Sequence, residues 1–309
     1  MTVHIVGAGL AGLLAANMLN KLDPQVFERQ LKLPNNHSAV LRFRTSAIGD
    51  VLGIPFRQVT LVKSIQPWKN PAADALAYSM KIGGESRSDR SINSGELVDT
   101  RWIAPPNLIE LMSKDINSIN LGTPYPFNEM KGQGVPIIST IPMPVLMDEL
   151  NWPDKPEFRF MHGYNISADI ERCNAYVSLM VPSPAYPFSR ISITGSQLIV
   201  EIPQCDGSFE VDARTWATMA ASLLGIEIER VGNVRSLRQT YVKILPVDDG
   251  VRREFIYWAS KEYNIYSLGR FACWRPGLLL DDLVKDVRLI ESWITRRKDH
   301  YARAIAARA

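Results

Sequence analysis

Three glycines at fixed spacing, followed by one carboxylate, are the residues of this chain best suited to chemistry. Residues 3–12 read Val3-His4-Ile5-Val6-Gly7-Ala8-Gly9-Leu10-Ala11-Gly12. Gly7 permits a tight turn from strand to helix, Gly9 lets main chain approach an anion, and Gly12 lets the helix pack close to the sheet. The helix opens at Leu10 and Ala11, whose free N–H groups and positive dipole end favour a pyrophosphate. Glu28 is the 21st residue after Gly7 and closes the β-prone run Gln25-Val26-Phe27-Glu28. It is placed to accept hydrogen bonds from a ribose diol. Strand, turn, helix and acid together indicate a dinucleotide site; the bland alternative is a glycine-rich turn without a ligand.

Other candidates carry weaker signals. His162, in Met161-His162-Gly163-Tyr164, is suited to a proton shuttle, although a lone histidine is more often structural. Arg190 lies between two strand-like runs and suits a carboxylate or phosphate, or a solvated sheet face. Tyr257, Tyr263 and Tyr266 alternate through β-prone sequence, where a cage around an amine and an ordinary core look alike. Arg42 and Arg44 share strand parity, as in a phosphate clamp or a charged sheet edge. No Cys-x-x-Cys pair, Gly-x-Ser-x-Gly elbow or metal-ligand spacing is present.

The elements that must position these residues alternate along the chain. Residues 1–30 read β-α-β. Val40–Arg44, Val59–Ile65, Val135–Thr140, Ala175–Val181, Arg190–Thr194, Gln197–Pro203, Tyr241–Leu245, Glu254–Ala259 and Asn264–Leu268 read as strands, with Thr194-Gly195-Ser196 as a hairpin turn. Helices are predicted over Asn107–Met112, Val145–Leu150 and Ala213–Leu224, the last capped by Asp212 and ended by Gly225. A closing helix runs from Asp281 to Lys298 with Leu283, Val287, Ile290 and Ile294 on one face. Asp281 and Asp282 at its start and Arg296, Arg297 and Lys298 at its end match the dipole. Residues 83–95 read as a polar loop. The expected fold is α/β: a Rossmann-type dinucleotide domain with an inserted β-rich substrate domain. The first, with crossover segments, is assigned to about 1–66 and 226–309, and the second, of mixed α/β character, to about 67–225.

Bulk properties set bounds. With 22% charged and 46% hydrophobic residues the composition is that of a soluble globular protein, with no apolar run long enough for a bilayer. A net charge of +3 permits a polyanionic substrate, DNA included, without requiring one. Three cysteines at unpaired spacing (Cys173, Cys205, Cys273) fit a reducing, cytoplasmic setting. The oligomeric state is not legible.

The segment Leu268-Gly269-Arg270-Phe271-Ala272-Cys273-Trp274-Arg275-Pro276-Gly277-Leu278-Leu279-Leu280-Asp281 resembles the C-terminal flavin loop of the amine-oxidase-like flavoproteins, UDP-galactopyranose mutases in particular. Ile137–Leu150 is similar to the strand and helix that precede their substrate domain, and Tyr186-Pro187-Phe188-Ser189-Arg190 to a substrate-domain strand of the mutases. The resemblance implies a glutathione-reductase-like fold and FAD rather than NAD(P). It implies a helix N-terminus at Leu280 and Asp281 aimed at the flavin ring, where it stabilises negative charge on the reduced form. It further implies that Gly269 and Arg270 contact the cofactor, that Trp274 stacks near the ring or packs in the core, and that Arg275 holds an anionic substrate group. The Gly-Gly doublet usual after the ribose acid is missing, and Arg29, Arg42 or Arg44 is left to supply that phosphate contact. The implied activity is oxidation of a C–H next to nitrogen, with imine hydrolysis. The alternatives are a mutase-like isomerisation or lyase reaction on a nucleotide-linked substrate, and a non-catalytic nucleotide-binding module. Compactness and the LRFR…GIPF stretch (Leu41–Arg44, Gly53–Phe56) are similar to short bacteriophage flavoproteins, some of which modify DNA bases.

Overall fold

The computed structural model describes residues 1–33, 42–87, 97–204 and 212–296. The turn at Asn35–Ser38 with His37, residues 88–95 of the polar loop, Cys205, His300, Arg297 and Lys298 lie outside them. The strands are β1 (Val3–Val6), β2 (Pro24–Glu28), β3 (Arg42–Phe43), β4 (Arg57–Ile65), β5 (Leu97–Ile103), β6 (Ile119–Leu121), β7 (Ile137–Ser139), β8 (Phe160–Ile170), β9 (Ala175–Met180), β10 (Arg190–Gly195), β11 (Gln197–Gln204), β12 (Val231–Ile244) and β13 (Ile265–Ser267). The helices are α1 (Leu10–Met18), α2 (Ala47–Leu52), α3 (Pro71–Gly83), α4 (Leu108–Ser113), α5 (Met143–Glu149), α6 (Ala213–Leu223), α7 (Asp249–Tyr263) and α8 (Leu283–Arg296).

Two sheets form. The first is parallel, in the order β13-β7-β1-β2-β6; the second has the order β12-β8-β11-β10-β9-β4-β5-β3 and is antiparallel except between β4 and β9. β1 is central in the first sheet, so Val3 and Ile5 are fully buried. α1 covers that sheet with Leu10, Leu13, Leu14, Ala15 and Ala16, a helix apolar nearly all round because α8 packs over it. The expected face of α8 (Leu283, Val287, Ile290, Ile294) is buried in the same core. The architecture is α/β with a Rossmann-type parallel sheet and a β-rich partner, as expected from the sequence.

Strands of the two sheets interleave along the chain. It leaves the parallel sheet after β2, returns for β6 and β7, leaves again for β8–β12 and returns at β13. β3, β4 and β12, placed by the sequence within 1–66 and 226–309, belong to the second sheet, while β6 and β7 from 67–225 belong to the first. Strand partners are chosen by non-local pairing, which local propensity does not encode.

Glu254–Ala259 is helical, not a strand. Asp248 caps α7 by accepting the Val251 N–H at 3.0 Å, and Phe255, Ile256, Ala259 and Tyr263 bury one helical face. The β-prone side chains of Phe-Ile-Tyr-Trp conceal that 3.6-residue period, and Tyr257 faces outward at 42% exposure. α3 is not among the helices predicted above, although its signals are present: Asn70 caps the Ala73 N–H, Pro71 begins the helix and Gly84 ends it at φ 71°. Among the described residues no helix is long and apolar enough to cross a membrane.

Candidate functional site

The N-terminal turn has the geometry its glycines foretell. Gly7 has φ +99°, and a Cβ there would lie 2.3 Å from Thr140 Oγ1. A Cβ on Gly12 would meet the Gly7 carbonyl oxygen at 1.9 Å, so only glycine lets α1 sit this close to the turn. A Cβ on Gly9 would meet nothing within 4 Å: the space beside it is open. Gly9 occupies the N-cap position in extended conformation, and no side chain caps α1. The N–H groups at Leu10 and Ala11 are thereby left for an anion. Glu28 accepts the Ala8 N–H at 2.9 Å through Oε2 and the Gln30 N–H at 2.9 Å through Oε1. This fixes the carboxylate beside the turn with lone pairs remaining for a diol.

A cavity of about 600 Å³ opens from this turn. Gly9, Leu10, Ala11 and Thr140 line one end. Gly269, Arg270 and Phe271, with Leu278, Leu279, Leu280 and Leu283 at the start of α8, line another. A Cβ on Gly269 (φ +95°) would touch Ala11 Cβ at 3.3 Å, so the C-terminal loop lies directly on the N-terminus of α1. The third wall is the second sheet, contributing Asn165, Arg190, Glu201, Gln239, Thr240, Tyr241, Val242 and Lys243.

Strand register explains that wall. Directly opposed residues share a face, and the row Leu237–Asn165–Glu201–Arg190–Met180 runs across β12, β8, β11, β10 and β9. The next row on this face is Ser167–Ile199–Ser192–Ser178. The opposite face carries Ile166, Val200, Ile191 and Leu179 against Ala217, Ala220 and Ala221 of α6. One face is therefore an ordinary core, while the other carries buried polar groups (Asn165, Ser192, Glu201), of which Asn165 and Glu201 line the cavity.

The charges on the polar face form one network. Arg190 Nη2 donates to Glu201 Oε1 across the β10–β11 pair, and Arg190 Nε is buried without a partner among the described residues. Glu201 holds the Arg190 pKa above the ordinary guanidinium value against the opposing effect of burial. Burial works against the Glu201 carboxylate, but Arg190, Lys243 and Arg42 outweigh it and its pKa is lowered. With Arg190, Lys243 and Arg270 facing one carboxylate, the lining carries excess positive charge. Tyr241 has its phenol pKa raised, first by burial and then by Asp148.

Several sequence candidates sit elsewhere. Trp274 does not line this cavity; it is a core residue at φ 43°, 1% exposed, with Nε1 donating to the Leu245 carbonyl at 2.9 Å. It supports Tyr241, which does line the cavity, from behind with ring centroids 5.8 Å apart. Arg275 lines a different cavity on the far side of the loop. Asp281 does not face the cavity: its Oδ1 accepts the N–H groups of Arg44 (2.7 Å) and Thr45 (2.9 Å), tying the 44–45 segment to the start of α8. Arg42 belongs to the edge strand β3, but its side chain is turned inward and does not line the cavity. It lies across the second sheet, donating to Thr194 Oγ1 and to the carbonyls of Val177 and Ile193, and its pKa is lowered to about 10 by burial and then by Arg190. Arg29 is exposed and lines neither cavity. Tyr266 stacks on Trp293 in the core at 6.2 Å, its pKa raised by burial. His162 has the opposite strand parity to Asn165 and does not line the cavity; its ring lies against Phe160 with centroids 5.3 Å apart.

The residues brought together are thus Gly9, Leu10, Ala11, Gly269, Arg270, Leu280 and Arg190, with Gly7, Gly12 and Glu28 shaping the turn. Sequence reasoning misses Thr140, Asn165, Glu201, Gln239, Tyr241 and Lys243. A polar residue isolated in a β-prone apolar run (Glu201 in Leu-Ile-Val-Glu-Ile, Lys243 in Tyr-Val-Lys-Ile-Leu) is the signal that could have found two of them.

These features fit FAD at its two ends: an anion-ready turn with a ribose acid, and a helix start over a cavity wide enough for a ring. No protein-family model matches the chain, and no curated protein matches it in sequence. Among solved structures it is similar to reduced UDP-galactopyranose mutase, at 12% identity and a TM-score of 0.70 over 97% of this chain and 95% of that one. It is also similar to an oxidoreductase from Methanosarcina mazei (11% identity, TM-score 0.58, 94% and 100% covered). A third likeness is to aklavinone-11 hydroxylase in complex with FAD and aklavinone (9%, 0.50, 95% and 62%). At such identities the likeness is one of architecture, and the chain has the fold of the FAD-binding flavoproteins: a Rossmann-type parallel sheet joined to a curled β-sheet across a shared cavity.

Proposed function

We propose that this chain is an FAD-dependent oxidoreductase of the amine-oxidase-like class, oxidising a C–H next to nitrogen in a substrate that also carries an anionic group. The observation that carries the reading is the single cavity in which the Gly9 turn, the Gly269–Arg270 loop, the start of α8 and the polar face of the second sheet converge. The α1 N-terminus binds the pyrophosphate, Glu28 the ribose, and the backbone at Leu279 and Leu280 approaches the ring. Bound FAD supplies the hydride acceptor. Asn165, Gln239 and Thr240 orient the substrate, Arg190 and Lys243 hold its anionic group, and Tyr241 with Phe271 excludes water from one side.

Among the described residues the cavity offers one carboxylate, Glu201, and that carboxylate is committed to Arg190. Hydride loss from carbon next to a neutral amine needs no general base, because the nitrogen lone pair forms the C=N bond as the hydride leaves. Water then adds to the imine and the C–N bond breaks. A nucleobase bearing such an amine, in DNA, is one substrate of this kind, and a gel-shift across a salt series tests it. Excess positive charge on the lining favours a second reading, a mutase-like isomerase or lyase acting on a nucleotide-linked substrate without net redox change.

The test is an absorption spectrum of the purified protein, followed by anaerobic addition of candidate amines. A flavin band that bleaches with substrate, with oxygen consumed on readmitting air, supports the oxidase. A substrate turned over only by pre-reduced protein, without oxygen consumption, supports the second reading. A colourless protein that takes up no FAD sinks both and leaves a binding module.

A further inference from the structure

A second and larger cavity, about 770 Å³, lies behind the loop that carries Gly269 and Arg270. Its walls are the first turns of α7, residues 273–278 of the loop, and the middle of α8. It is distinct from the cavity described above; Leu278 is the residue common to both linings.

Three arginines face it. Arg252 is held in place by Asp249, with Nε at 2.9 Å and Nη2 at 2.7 Å from Oδ1, while Nη1 reaches the Cys273 carbonyl at 3.3 Å. Its side chain is only 12% exposed, so its orientation is fixed before any ligand arrives. Arg253 donates to the other oxygen of Asp249 at 2.6 Å. Arg275 has no side-chain hydrogen bond or ion pair among the described residues. Against these stand two acids, Asp249 and Asp286, which leaves the lining one positive charge in excess. The remaining wall is apolar, with Ile256 and Leu289 beside the indole of Trp293. Forked cations beside a flat aromatic wall suit a ligand with a phosphate head and a planar body. The volume is that of an ordinary small-molecule site.

We infer that this cavity is a binding site for a phosphate-bearing nucleotide, separate from the Gly7–Gly12 turn. Arg275 and Arg253 hold the phosphate and Trp293 the base. Leu278, which lines both cavities, is where a ligand here meets the wall of the flavin cavity.

Titration calorimetry with ADP, in the presence of saturating FAD to block the N-terminal turn, tests the inference. ADP is expected to bind at one site. Arg275→Ala and Arg253→Ala are each expected to weaken binding about tenfold or more, the loss of a charge-assisted contact. Arg275→Ala removes no side-chain hydrogen bond or ion pair among the described residues, so its melting curve is expected to match the parent's, which separates loss of binding from loss of fold. Inorganic pyrophosphate is expected to bind more weakly, lacking the base. Absence of ADP binding with FAD present would overturn the inference. So would ADP binding unchanged in both variants, which would put the nucleotide elsewhere.

Discussion

Replacing Gly9 and Gly12 separately by alanine should divide cofactor binding from folding. At Gly12 the new methyl would sit 1.9 Å from the Gly7 carbonyl oxygen and 3.1 Å from its carbon. Both atoms are main chain and cannot swing aside, so α1 must shift away from a core in which Leu13 and Ala15 are fully buried. With main chain at 1.9 Å the overpacking cost lies near the upper end of the usual range, about 3 kcal/mol, and the roughly 1 kcal/mol better helix propensity of alanine leaves about 2 kcal/mol of destabilisation. At roughly 2–4 °C per kcal/mol the apoprotein should melt several degrees lower. Gly9 is different. Its φ of −76° and ψ of −178° suit any residue, and nothing lies within 4 Å of the added methyl. Gly9→Ala should leave the apoprotein within about 1 kcal/mol of the parent. The methyl would occupy the space needed by the pyrophosphate, and loss of its charged hydrogen bonds should weaken FAD about 10–100-fold. Melting by circular dichroism and FAD titration by fluorescence quenching read the two quantities independently. Parent-like FAD affinity in Gly9→Ala, or a parent-like melt in Gly12→Ala, would refute this account of the turn.

Other outcomes follow from the same geometry. Glu201→Gln strips the Arg190 guanidinium of its counter-charge and should destabilise the fold by about 1–2 kcal/mol, less than for a fully buried pair because the Arg190 side chain is 39% exposed, while the double replacement of Arg190→Met with Glu201→Leu should cost less; denaturant melts compare them. Because the folded pKa of Glu201 lies below its ordinary 4.5, its contribution is complete above that value and is lost as pH falls through the lower folded value, so acid unfolding of Glu201→Gln should show a shallower pH dependence. Burial pushes the Cys273 thiol up to about 12, so at a pH of about 8 it should alkylate far more slowly in the native protein than in the unfolded one, as read by mass spectrometry. Asp281→Ala removes the acceptor for the Arg44 and Thr45 N–H groups and should raise hydrogen exchange at those two amides without altering the FAD turn.

What the sequence determined by itself is the part built from local geometry. The Gly7–Gly12 turn, the acid at Glu28, the cap at Asp212 and the apolar stripe of α8 each rest on short stretches of chain, where φ/ψ limits, capping and helical period act directly. The location of Gly269 and Leu280 near the turn came through resemblance, and Trp274 and Asp281 show its limit: a loop can lie beside a site while individual side chains point into the core or tie down a neighbouring strand. Tertiary structure alone decided the third wall. Arg190, Glu201 and Asn165 come from three different strands, and only the antiparallel register of β10, β11 and β8 sets them in one row on the polar face. Which face of a strand meets a cavity depends on what packs behind it, here α6, and no local signal carries that choice.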